Sequence, residues 1–202
     1  MMLHCRAMMV SARLVSAFTL AVQVHGDHVR KGTGVPYLTH LMAVSSLVAE
    51  YGGDEDLMIA ALLHDTLEDR PDRITLPQII ARFGWRVGHV VHGCTDSHQL
   101  PKLPWEQRKT VFLERLHRES ADVKLVAAAD KLHNASSLLR DARMLGDSHW
   151  ARFNASKERQ CWYLRSCVEA LRDGWSNEIV VTLKQTVENL ERLCGITVGS
   201  TG

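Results

Sequence analysis

Ala60-Ala61-Leu62-Leu63-His64-Asp65-Thr66-Leu67-Glu68-Asp69 joins four apolar residues to an adjacent His-Asp pair and then to a Glu-Asp pair. Read as one helix, His64 and Glu68 are i and i+4, and so are Asp65 and Asp69. Two metal-type ligands then stand one turn from two carboxylates. The apolar lead-in suits a buried helix that delivers this polar group into a cleft. An ordinary helix end with solvated acids has the same composition, so the rest of the chain has to decide.

Upstream, the spacing of Val10, Leu14, Ala17, Phe18 and Ala21 predicts a first helix over much of 7–24. The stretch 25–40 holds three glycines, Pro36 and the basic pair Arg30-Lys31, and reads as a loop that contacts a phosphorylated ligand. Pro36 suits the first turn of a second helix, and Val44, Leu47, Val48 and Tyr51 form its core stripe. Gly52-Gly53 stops that helix, and Asp54 is placed to cap the next. His40 lies near the start of the second helix and His64-Asp65 near the end of the third. An antiparallel pair joined by a short turn brings start to end, so these side chains converge.

Downstream, short helices are expected over 76–83 and 87–94, and a loop over 98–105 that carries Lys102. A further helix over 105–118 bears Arg108-Lys109. Residues 123–145 read as one long helix. Asp130 stands there in an otherwise apolar run, Leu125 to Ala129, where a carboxylate is costly unless paired or bound to metal. Asn134 is i+4 from it. Trp162 and Tyr163 fall in a helix near 150–172, and a last helix covers about 177–194. No strand-type alternation occurs. The fold is expected to be all-α, one domain over 1–202.

Composition excludes several classes. A net charge of +1 gives no global field for nucleic acid. No run reaches the ~20 apolar residues of a membrane span, and Arg6 and Arg13 break the apolar N-terminus, which lacks signal-peptide form. Five cysteines without a C-x-x-C pair read as free thiols in a reducing cytoplasm. Assembly of identical chains is left open.

His40, His64, Asp65 and Asp130 make a mixed nitrogen and oxygen ligand set, suited to Mn²⁺, Fe²⁺ or Zn²⁺. Such an ion keeps open positions for water. Glu68 and Asp69 are placed to take a proton from that water or to orient it. Arg30, Lys31, Lys102, Arg108, Lys109 and Lys131 supply charge for phosphate oxygens. Together they point to hydrolysis of a phosphoester or pyrophosphate.

The H…HD…D pattern resembles the HD phosphohydrolase superfamily. Arg30-Lys31, Gly34-x-Pro36-Tyr37-x-x-His40, His64-Asp65-Thr66-x-Glu68-Asp69, Phe83-Gly84, Thr95-Asp96, Arg108-Lys109 and Ala129-Asp130-Lys131-Leu132-His133-Asn134 resemble, more closely, the hydrolase domain of RelA/SpoT proteins over about 18–172. With no room for synthetase or regulatory domains, the chain is most similar to the stand-alone small alarmone hydrolases. The resemblance implies a compact HD-domain bundle of about eight to ten helices. It implies one Mn²⁺ on His40, His64, Asp65 and Asp130, and removal of the 3′-pyrophosphate of (p)ppGpp with Glu68 and Asp69 as the catalytic acids. It implies nucleotide contacts from Arg30, Lys31 and Asn134. It also implies an aromatic contact from Trp162-Tyr163; Tyr163 is the candidate, and the resemblance leaves open which of the two corresponds. Three positions depart from the family: Leu41 replaces a proline, and Ala127-Ala128 replace a Lys-Leu pair. None removes a ligand. Two alternatives remain: an HD phosphohydrolase for an adenine alarmone, a 3′-phosphorylated nucleotide or NADPH, and a non-catalytic alarmone-binding or antitoxin protein.

Overall fold

The computed structural model describes residues 11–96 and 103–196. Ten α-helices run in chain order: α1 Ala12–His25, α2 Leu38–Glu50, α3 Glu55–Leu63, α4 Thr66–Asp69, α5 Leu76–Phe83, α6 Trp85–Cys94, α7 Trp105–Leu116, α8 Ala121–Leu145, α9 Lys157–Arg172 and α10 Glu178–Leu193. A 3-10 segment, Gly146–Arg152, links α8 to α9. No strand occurs among the described residues; one isolated antiparallel bridge, Val29 to Pro36, pins the basic loop. The all-α expectation holds.

Helix α3 is the hub. Leu57, Ile59, Ala60, Ala61, Leu62 and Leu63 are all buried, as expected of a helix apolar on every face. It packs against α1, α2, α6 and α8. Its start is set by Asp54, whose side chain accepts from Leu57 N at 3.1 Å. Gly52, at φ +92°, makes the turn that a residue with a Cβ would resist. Losing the Asp54 cap should cost about 1 kcal/mol, so Asp54→Ala should unfold at lower denaturant with an unchanged slope. An unchanged midpoint would refute the cap's role.

Helix α8 lies against α2, α6, α9 and α10. Ala127, Ala128 and Ala129 are buried within it. Their small side chains let neighbouring backbones approach, which gives the Ala127-Ala128 departure a packing role. Leu41 is likewise fully buried in the core.

The expected single helix through 60–69 is interrupted. Helix α3 ends at Leu63, and α4 is one turn that starts at Thr66. Side chains take the carbonyls left at the break: His64 Nδ1 donates to Ala61 O at 2.7 Å, and Thr66 Oγ1 donates to Leu63 O at 2.6 Å. Asp69 N still donates to Asp65 O at 2.9 Å, so the Asp65–Asp69 spacing survives. Helix α1 begins at Ala12; the part of its expected range before residue 11 lies outside the described residues. The helix expected from about 150 begins only at Lys157, because the unforeseen 3-10 segment and a loop holding Phe153 take up its start; most other boundaries shift by one or two residues.

Candidate active site

The start of α2 meets the end of α3, and the middle of α8, where Asp130 stands, packs against both. His40 Nε2 lies 3.6 Å from Asp65 Oδ2 and 3.3 Å from Asp130 Oδ1. His64 Nε2 lies 2.9 Å from Asp65 Oδ2 and 3.8 Å from Asp130 Oδ1. Among the described residues, His40, His64 and Asp65 form a group able to hold a metal ion, with Asp130 facing both imidazoles.

Protons on the rings are fixed from behind. Ala61 O can only accept, so His64 carries a proton on Nδ1 and turns Nε2 to the cluster. That buried Nε2 makes no hydrogen bond of acceptable geometry. His40 Nδ1 lies 2.8 Å from His133 Nδ1. Burial and the neighbouring His40 lower His133 to about 4, so it is neutral and able to accept from His40 Nδ1 when His40 Nε2 is a ligand. With Nδ1 protonated, each ring can turn Nε2 to a divalent ion, which would displace the proton that Asp65 and Asp130 otherwise favour on His64.

The charges fit a cation as well. Burial disfavours charge on His64, yet Asp65 and Asp130 outweigh it and raise its pKa well above the ordinary value. The pocket holds more negative charge than its rings offset. Burial also opposes charge on Asp130, but Lys131 and both histidines hold its pKa well below the usual range. Lys131 Nζ donates to Asp130 Oδ2, and Asn134 Nδ2 to Asp130 Oδ1, each at 2.5 Å. Tyr37 Oη donates to Asp65 Oδ2 at 2.5 Å. Burial first, and Asp65 second, push the Tyr37 pKa well up, so it stays a donor. The donor set, the tautomers and the orphaned Nε2 fit a borderline divalent ion.

The cluster opens into a cavity of about 830 Å³, within the range of small-ligand sites. Glu68, Asp69, Arg30, Lys31, Asn134, Lys109 and Tyr163 line it. Burial, then the Asp96 carboxylate, raise the Glu68 pKa above the usual carboxylate value. Asp96 N donates to Glu68 Oε2 at 3.2 Å. Arg30 Nη2 donates to Asn134 Oδ1 at 3.0 Å, so Asn134 links the basic loop to Asp130. Tyr163 is 6% exposed and faces the cavity, whereas Trp162 is 38% exposed and does not line it. Lys109 Nζ and Lys131 Nζ stand 4.8 and 5.6 Å from the Tyr163 ring centre.

Arg108 is placed differently from its expected role. It does not line the cavity; its Nη1 donates to both Asp96 oxygens at 2.8 and 2.6 Å. Lys109 Nζ donates to Asp96 Oδ2 at 2.6 Å. Burial would raise the Asp96 pKa, but Lys109 and Arg108 hold it to about 2. Lys102 lies outside the described residues. Four residues went unassigned in the sequence: Tyr37, Asp96, His133 and Arg152. The first three sit inside motifs already singled out, G-x-P-Y-x-x-H, T-D and A-D-K-L-H-N. Arg152 carried no motif; it reaches the cavity on the unforeseen 3-10 segment.

Comparison with known proteins adds ancestry to this geometry. Residues 17–156 match the HD domain family. The chain is 33% identical over 184 residues to the human protein named guanosine-3′,5′-bis(diphosphate) 3′-pyrophosphohydrolase MESH1, covering 90% of each chain. The Xenopus tropicalis protein of that name is 32% identical over the same span. A solved structure titled as a metazoan ortholog of SpoT that hydrolyzes ppGpp matches with a TM-score of 0.72 and 26% identity, over 95% of this chain and 100% of that one. The chain belongs to the HD domain family and, within it, to the family of MESH1.

Proposed function

We propose that this protein is a divalent-metal-dependent hydrolase that removes the 3′-pyrophosphate of guanosine alarmones, with Mn²⁺ as the working ion. The observation that carries the reading is the His40–His64–Asp65–Asp130 cluster opening beside Glu68 and Asp69 into a cavity rimmed by lysine and arginine, in a chain 33% identical to MESH1 over 90% of its length. The relatives' printed activity supports the choice of the 3′ end.

A divalent ion at the cluster supplies Lewis acidity and lowers the pKa of water. The chain's own groups do the rest. His64 and His40 hold their tautomers through Ala61 and His133. Glu68, with its raised pKa, and Asp69 are the proton acceptors for the attacking water. Water adds to the phosphorus joined to the 3′ oxygen. That P–O bond breaks, pyrophosphate leaves, and the 3′ oxygen takes a proton to become a hydroxyl. Arg30, Lys31 and Lys109 meet phosphate oxygens, while Asn134 and Tyr163 position the nucleoside. Arg108 anchors Asp96 next to Glu68 and itself lies 3.5 Å from Glu68 Oε1.

Purified protein with Mn²⁺ should convert ppGpp to GDP and free pyrophosphate. Release of orthophosphate, or cleavage of another nucleotide with ppGpp untouched, would overturn this reading. His133→Ala removes the group that accepts from His40. Metal affinity should fall about 10- to 100-fold, read by titration with a chelator. An unchanged affinity would mean that His133 does not orient His40.

A further inference from the structure

A second group of ligand-type side chains stands on the same cavity, outside the cluster already described. His25 ends α1, His28 follows it in the basic loop, and Asp69 ends α4. Their ligand atoms all lie within 4.8 Å of one another. His25 Nδ1 and His28 Nδ1 are 3.3 Å apart, and His28 Nδ1 is 3.9 Å from Asp69 Oδ2. Two nitrogens each about 2.1 Å from one ion, at cis or tetrahedral angles, stand about 3.0–3.4 Å apart. The observed pair falls in that window.

The environment of His25 points the same way. Its ring is 1% exposed, its Nε2 has no hydrogen-bond partner, and His28 is the one side chain bonded to its Nδ1. A fully desolvated imidazole gains little from a single neutral partner. Coordination through Nδ1 would replace that weak partner with an ion, with the ring's proton kept on Nε2. Tyr37 stacks on both rings, at 5.3 Å from His25 and 4.2 Å from His28, and donates to Asp65 on its other side. It stands between the two groups, which share no ligand.

We propose that His25, His28 and Asp69 form a second divalent-cation site, separate from the His40–His64–Asp65–Asp130 cluster. Two imidazoles and one carboxylate select a borderline ion such as Zn²⁺, Co²⁺ or Fe²⁺. Only three protein ligands are supplied, so coordination positions stay open. His28 and Asp69 line the cavity, so those positions face the space where phosphate oxygens would lie.

The test counts ions. Full-length wild-type protein is equilibrated with excess Zn²⁺, freed of loose metal by dialysis and analysed for zinc per chain. Two ions are expected in wild type, one in His28→Gln and one in Asp130→Ala. Co²⁺ titration should likewise show two spectral components in wild type and one in His28→Gln. His28 is partly exposed, and its variant's melting curve checks that it folds. One ion in the wild type overturns the proposal, and so do two ions retained in His28→Gln. The count does not depend on which nucleotide is cleaved, so this site and the proposed activity fail separately.

Discussion

Asp130→Ala is expected to purify without its ion and to lose turnover of ppGpp by about 10³-fold or more. A Lewis-acidic ion contributes several kcal/mol of transition-state stabilisation, and each ~1.4 kcal/mol is tenfold in rate. Asp130 Oδ1 faces His40 and His64 at 3.3 and 3.8 Å, on a helix that starts far from both in sequence. Its loss also strands Lys131, a mostly buried ammonium whose pKa is held well up by Asp130 against the effect of burial. The variant should therefore be less stable as well. Asp130→Asn keeps the shape and removes the charge, which separates lost ligation from lost packing. Chelator treatment of the wild type should reproduce the loss of turnover, and added Mn²⁺ should restore it. Full metal occupancy in Asp130→Ala would remove Asp130 from the ligand set.

Glu68→Ala and Asp69→Ala are expected to keep the ion at that cluster and to lose rate. A positioned proton acceptor contributes ~10²–10⁴-fold, and the decrease should fall on kcat. Glu68 sits where burial and Asp96 raise its pKa, so it accepts a proton more readily than a solvated carboxylate does. Glu68→Gln keeps an acceptor for the Asp96 N–H and removes the charge. If it is as slow as Glu68→Ala, the charge matters and the hydrogen bond does not. Near wild-type kcat in both alanine variants would place the proton acceptor elsewhere.

Local spacing made much of this protein legible in advance. Apolar residues at helical spacing outline α2 and α10, and an apolar run from Leu125 to Ala129 marks α8. Gly52-Gly53 and Asp54 mark the turn into α3, and Asp130 to Asn134 is one helical turn, as their 2.5 Å hydrogen bond bears out. Such features depend on neighbours a few residues apart, so the sequence displays them directly. The short turn between α2 and α3 also made the meeting of His40 with His64-Asp65 foreseeable.

Other features belong to the packed chain alone. The helix breaks at His64-Asp65 because two side chains capture the carbonyls of α3, and helical periodicity carries no sign of that. Arg108 looked like a phosphate contact, but Asp96, brought beside it by α6 and α7, takes its charge. Tyr163 rather than Trp162 enters the cavity because of how α9 is rotated against its neighbours. Arg152 arrives on a segment without periodicity, and its side chain packs where Gly32 has no Cβ. The chemical inventory is a property of composition and spacing. Which carboxylate is neutralised by a lysine, and which is left facing two bare imidazole nitrogens, depends on contacts between residues up to about a hundred positions apart, and those exist only once the helices have packed.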